Sequence, residues 1–235
     1  MPKARSRSSS PEWTSSGKAG GGALTVVASL PSRLRLGFLA SHNGSNMRAI
    51  VAACRDGSLA AEPSVVVSNN SDSAALAWAR ENGVPAVHLS ATTTGSAEAL
   101  DAAIAATLHG HGANLIVLAG YMRKLGPLTL AAFRNRILNV HPALLPRFGG
   151  HGMYGRFVHD AVLKSGDSVT GATIHVVDGE YDHGPIVAQA AVPILAGDTS
   201  DTLAARVQAK ERELYPETLR KIASGAIDLD RIQFG

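Results

Sequence analysis

Short apolar runs suited to strands alternate with amphipathic helical stretches through most of this chain, and the helical stretches tend to stop on glycine. "LRLGFLA" (34–40) reads as a strand and "SNMRAIVAACRDG" (45–57) as a helix closing on Gly57. "SVVVSNN" (64–70) and "SAALAWARENG" (73–83) repeat the unit, and "PAVHLS" (85–90), "SAEALDAAIAATLHGHG" (96–112) and "NLIVLAG" (114–120) continue it. Each parallel neighbour in a sheet requires a crossover, usually a helix, so the alternation predicts a doubly wound, mostly parallel α/β sheet.

Further on, "PLTLAAFR" (127–134) reads as a short helix, 136–141 as a strand and "YGRFVHDAVLKSG" (154–166) as a helix. "TGATIHVVDG" (170–179) and "GPIVAQAAVPI" (184–194) read as two strands joined through "DGEYDHG", and a long helix over 201–225 contains Pro216, which is placed to bend it. There is no internal repeat and no second core, so one domain is expected over 34–226, with a C-terminal tail at 227–235.

Residues 1–33 differ in character. They are rich in Ser, Gly, Arg and Lys without a sustained apolar period, which predicts a disordered leader. Abundant Arg and Ser with scarce acid also suit a transit peptide; the expectation here is a tail or an upstream start and a cytoplasmic protein, with organellar targeting the less favoured reading. The leader carries Lys3, Arg5, Arg7, Lys18 and Arg33 against Glu12, a net +4; of 22 basic and 19 acidic residues this leaves 17 and 18 for the body, a net −1. The body thus gives no electrostatic reason to expect nucleic acid. No apolar run reaches the roughly 18 residues of a membrane span. A single cysteine, Cys54, excludes an internal disulfide and suits a reducing compartment.

Three places carry chemistry. In "FLASHNGSNMRAI" (38–50), the turn from first strand to first helix sits where open α/β sheets bind ligands, and free N–H groups there welcome an anion. Asn43 and Gly44 permit a tight turn, Ser45 is placed to cap, and Gly44, Ser45 and Asn46 can aim donors at a phosphate. An ordinary capped turn is the plainer alternative. The pattern is neither G-x-G-x-x-G nor a Walker loop, which disfavours a dinucleotide or a nucleoside triphosphate.

The second place is "ILNVHPALLP" (137–146), where Asn139 and His141 interrupt a strand at period two and project from one face at its carboxyl end. An amide and an imidazole side by side can hold a carbonyl oxygen as it gains charge, and the imidazolium can give a proton. Pro142 and Pro146 would stiffen the following turn. A lone buried His is commonly structural, so a partner matters. The third place supplies a candidate in Asp182, whose carboxylate beside the ring would favour its protonated form; Asp178 and Glu180 are its rivals, with Glu180 expected to be solvated. No metal is expected. His109 and His111 sit at a helix terminus, His151 and His159 are poorly spaced for a ligand pair, and Cys54 lies mid-helix.

"NGSN" (43–46), "LAGYMRKL" (118–125), "NVHPALLP" (139–146), "TGATIHVVDGEYDHGPIVAQ" (170–189) and "ARVQAKERELYP" (205–216) together resemble the folate-dependent glycinamide ribonucleotide formyltransferases of purine synthesis, from about Leu34 to Leu229. The resemblance implies a Rossmann-like, doubly wound formyltransferase fold in one domain. It implies formyl transfer from the co-substrate 10-formyltetrahydrofolate to the amine of 5-phosphoribosylglycinamide without a metal, by a monomer or homodimer. It further implies that Asn139, His141 and Asp182 carry the chemistry. Gly44, Ser45 and Asn46 would bind the phosphate, and Gln208 and Glu211 the ribose and glycinamide. Met122, Arg123, Lys124 and Leu125 would contact the folate along with Asn139, and the loop from Asp178 to Asp182 would close on its pterin.

The chain departs from the family pattern in three ways. His42 stands where a Gly is usual, Ala97 stands where several members carry a folate-touching Arg, which shifts that grip to Arg123, and "RFGGHGMYGRFVH" (147–159) is longer and richer in glycine. The same module occurs in methionyl-tRNA formyltransferase, which adds a C-terminal RNA-binding domain, and in formyltetrahydrofolate hydrolase, which adds an N-terminal regulatory one. A non-catalytic binding module on the same kind of sheet is the alternative from another class.

Overall fold

A computed structural model describes residues 33–232. The leader assigned to 1–33 lies outside the described residues except for Arg33. The parallel half of the fold comprises β1 (Leu34–Leu39), α1 (Ser45–Arg55), β2 (Ala61–Ser68), α2 (Ala74–Glu81), β3 (Ala86–His88), α3 (Ala91–Thr94), α4 (Ala97–Gly110), β4 (Leu115–Leu118), α5 (Pro127–Ala132) and β5 (Ile137–His141). It is followed by α6 (Arg156–Ser165), β6 (Val169–Val176), β7 (Ile186–Pro193) and α7 (Ser200–Ala223).

The strands form one seven-stranded sheet in the order β3-β2-β1-β4-β5-β6-β7. The first five pair in parallel, and β6 and β7 are added antiparallel. Strand order reverses between β1 and β4, which creates the crevice where ligands settle in open α/β sheets. The period-two pattern of the strands produces two cores. Leu34, Leu36, Phe38, Val66, Leu115, Val117 and Leu138 face the layer of α1, α2, α6 and α7. Val65, Val67, Ile116, Leu118 and Ile137 face α4 and the Phe133 that follows α5.

The structure corrects several local expectations. Strand β2 begins at Ala61, before Pro63, and the β1–β2 register shifts between Leu36 and Gly37 next to that proline. The short α3 was not expected, because "ATTT" is mostly β-branched and holds helix only through the reciprocal capping of Ser90 and Thr93. Ser45 is the first helical residue and not the cap; Gly44 caps α1 with a left-handed backbone and no side-chain bond. Helix α7 continues through Pro216 to Ala223. Beyond it Leu229 is buried in the larger core and Asp230 pairs with Arg136 at 2.6 Å.

Candidate active site

The carboxyl ends of β1, β4 and β5 open onto a cavity of about 800 Å³. From β1 the chain turns through His42 and Asn43 into Gly44, whose φ of 61° favours glycine; a Cβ there would also press on Ala75 and Met47. Asn46 is buried and gives its Nδ2–H to Glu211 of α7 at 2.9 Å, locking the turn before α1 to the last helix. Burial pushes the Glu211 carboxyl up, and the Asn46 bond opposes this only in part. Gln208, one turn earlier, lines the same wall. At the end of β4, the Ser41 hydroxyl accepts from the Met122 N–H at 2.8 Å and so fixes the turn that carries Met122 and Arg123 into the cavity. Lys124, Leu125 and Asp178 line a smaller adjoining cleft of about 90 Å³, which shares Arg123, Asn139 and Asp182 with the first.

At the end of β5, Asn139 and His141 both line the cavity. His141 is buried; its Nε2 lies 2.7 Å from the Phe148 carbonyl, so this nitrogen carries a proton and donates it. Its Nδ1 lies 3.3 Å from Oδ2 of Asp182. Of the three loop carboxylates, Asp182 is therefore the one beside the ring, while Asp178 pairs with His183 at 2.9 Å and Glu180 is exposed. Burial pushes the Asp182 carboxyl up, but bonds from His141 and His175, the charge of His141 and the Gly150 N–H at 3.1 Å outweigh it. The group is held well below the usual carboxylate range. Asp182 adopts a left-handed φ of 53°. Two residues on, a Cβ at Gly184 would collide with the Val176 carbonyl, so the D-x-G pattern reflects a close backbone approach that anchors the loop.

One member of the site was not singled out from sequence. His175 of β6 sits opposite Asn139 in the antiparallel register, with its Nε2 3.1 Å from Asn139 Nδ2 and 3.5 Å from Asp182 Oδ1. Its Nδ1 donates to the Val176 carbonyl at 3.1 Å, and its Nε2 stands between the Asn139 amide and the Asp182 carboxylate. The contact between Nε2 and the amide holds the Asn139 side chain in place at the site. The signal was present in "TGATIHVV", where Thr173 and His175 interrupt an apolar strand at period two as Asn139 and His141 do. Thr173 also donates to the Ala143 carbonyl at 2.7 Å and accepts from the Leu145 N–H at 3.0 Å, so a β6 side chain ties down the turn after His141.

Two of the chain's three departures border this cavity. His42 is exposed at its rim, Ala97 begins α4 outside the lining, and the 147–155 segment runs through left-handed Phe148, Gly150, Gly152 and Gly155. Among the described residues no group of three or more His, Cys, Asp or Glu is placed to hold a metal ion. No described helix is long and apolar enough to cross a membrane.

The formyl transferase family model matches residues 34–219. The chain belongs to the formyl transferase family. Among its relatives, the phosphoribosylglycinamide formyltransferase of Escherichia coli is 36% identical over 191 residues, covering 81% of this chain and 88% of the relative. A chloroplastic phosphoribosylglycinamide formyltransferase of Arabidopsis thaliana is 40% identical over 205 residues, or 87% of this chain and 68% of that one. The crystal structure of glycinamide ribonucleotide transformylase 1 from Symbiobacterium toebii matches with a TM-score of 0.79 and 40% identity, over 87% of this chain and 95% of the other. This formyl transferase therefore has the doubly wound fold and the family that its motifs predict.

Proposed function

We propose that this formyl transferase moves the formyl group of 10-formyltetrahydrofolate onto the amine of 5-phosphoribosylglycinamide. The carrying observation is the convergence of Asn139, His141 and Asp182 on one cavity, which the α1 turn also lines. In this reading the substrate phosphate rests on the N–H groups of Gly44, Ser45 and Asn46 and on the Ser45 hydroxyl, and Gln208 and Glu211 meet the ribose and glycinamide. The folate enters past Met122 and Arg123, with Lys124, Leu125 and the 178–182 loop around its pterin.

The amine nitrogen forms a bond to the formyl carbon, and the bond from that carbon to the folate nitrogen breaks. One proton leaves the amine and one reaches the folate nitrogen. As the formyl oxygen gains charge, it takes the second N–H of Asn139, the first being held by His175. Since Nε2 of His141 is committed to Phe148, the nitrogen that addresses the formyl oxygen is Nδ1, on the side of Asp182. A gap of 3.3 Å is longer than a tight charged hydrogen bond, which leaves that proton free to be shared with the substrate. Asp182 stays ionised, stabilises the imidazolium and orients the water through which the proton passes from the amine to the folate nitrogen.

The test is turnover of 10-formyl-5,8-dideazafolate by the purified protein, with and without synthetic glycinamide ribonucleotide. Deformylation that requires the amine is expected. Formate release without the amine would make the protein a hydrolase, and no turnover in either case would make it a binding module.

A further inference from the structure

The cavity wall contains a second buried imidazole that the reaction above does not use. His159, in the first turns of α6, is 3% exposed and lines the cavity beside His141, Gln208 and Glu211. Its Nδ1 is sealed from solvent and has no hydrogen-bond partner among the described residues. Its Nε2 has none either but is not sealed, so the ring opens to the cavity at Nε2. A buried polar ring without partners costs the fold; an apolar side chain would fill the same space without that cost. Burial, and then the charge of His141, push the His159 pKa down, with Asp160 opposing, so the ring stays neutral. A neutral imidazole carries one proton, and placing it on sealed Nδ1 would strand a donor away from any acceptor. The proton therefore belongs on Nε2, aimed into the cavity.

We propose that His159 is a substrate-binding residue whose Nε2–H donates to a carbonyl or hydroxyl oxygen of the amine-bearing substrate, between the phosphate turn and His141. This rests on the formyl-transfer reading of the site. The side of the cavity follows from packing: α6 lies against α7, which supplies Gln208 and Glu211, whereas the folate end is built by Met122, Arg123 and the 178–182 loop. A neutral donor suits this position, because a second cation beside His141 would repel its proton, while a neutral N–H adds recognition and leaves the imidazolium intact.

The test exploits the geometry of amides: a Gln side chain places its NH₂ near the position of imidazole Nε2, and an Asn side chain near that of Nδ1. His159→Asn and His159→Phe should raise the KM for phosphoribosylglycinamide about tenfold, the loss of one hydrogen bond of ordinary strength. His159→Gln should restore it to within about threefold, and the KM for the formyl-folate should stay constant to within about twofold in all three. Equal KM values in the Asn and Gln variants, or a parallel change in the folate KM, would overturn the proposal.

A second measurement needs no variant. Ring ¹⁵N spectra of the wild-type protein should show His159 as the Nε2–H tautomer, with a proton resonance that moves when phosphoribosylglycinamide alone is added. An Nδ1–H tautomer, or a resonance indifferent to that ligand, would also overturn it. Absence of amine-dependent turnover in the wild type would remove the formyl-transfer reading itself. Normal wild-type turnover with an unchanged KM in His159→Asn would remove only the role of His159.

Discussion

Nδ1 of His141, at the tip of β5, lies 3.3 Å from Oδ2 of Asp182, in the loop between β6 and β7. The returning path of the loop brings them together. Because β6 runs antiparallel to β5, the chain leaves β6 at the end opposite the tip of β5, and the Asp182 loop, tied back by Gly184 and the Gly150 N–H, folds over the ring.

This relationship predicts how Asp182→Asn behaves. Asn tolerates the left-handed φ of 53°, so the loop keeps its path while the charge is lost. The turnover number should fall about 10²- to 10⁴-fold, the usual share of general acid–base catalysis, with both KM values within a few-fold of wild type. Steady-state kinetics check this, and a turnover number within about threefold of wild type would remove Asp182 from the chemistry.

At the α1 turn the effect should appear in binding. Ser45→Ala is expected to raise the KM for the phosphorylated substrate several-fold and leave the folate KM alone; an unchanged substrate KM would argue against the phosphate turn. Gly44→Ala should also destabilise the fold. A left-handed non-glycine residue costs about 1–2 kcal/mol, and the new Cβ would lie 3.0 Å from that of Ala75. Calorimetry should record a Tm lower by about 2–8 °C.

Acid stability follows from the depressed pKa of Asp182. An unfolded aspartate titrates near about 3.9, above the native group, so between the two values the unfolded chain binds more protons and folding weakens as pH falls. The stabilisation is complete above that unfolded value and is lost progressively below it. Urea unfolding between about pH 5 and about pH 3 should show a shallower loss in Asp182→Asn than in the wild type. Equal slopes would contradict the ionised, bonded carboxylate.

The Tyr215 hydroxyl of α7 donates to the Leu138 carbonyl of β5 at 2.8 Å in the buried core, one residue before Asn139. Burial, and then Glu211, push its pKa well up, so it remains a donor. Tyr215→Phe should cost about 1 kcal/mol by removing that hydrogen bond, which denaturant titration would measure. A change within about 0.5 kcal/mol would show that the carbonyl finds another partner.

Much of this architecture was legible because periodicity is local. The alternation of two- and 3.6-residue periods delivered the parallel half of the sheet, and Asn139 and His141 stood out as polar breaks at period two in an apolar strand. Long-range geometry was less accessible. Choosing Asp182 over Asp178 and Glu180 required the hairpin's path across β5, and the role of His175 depended on an antiparallel register that no local pattern specifies. Gly44 displaced Ser45 as the cap because a left-handed backbone opens α1, and Pro63 entered β2 beside a register shift. The unpaired ring of His159 became visible only once its surroundings were known.

The central claim is that His141 and Asp182 act on the formyl carbon as one unit, and a double-mutant cycle on single-turnover rates addresses it most directly. His141→Ala, Asp182→Asn and the double variant should be compared at saturating substrate and folate. The account predicts that the double variant is about as slow as the slower single variant, because either change alone disables the pair. Rate losses that multiply would mean that the two side chains act independently, and would contradict it.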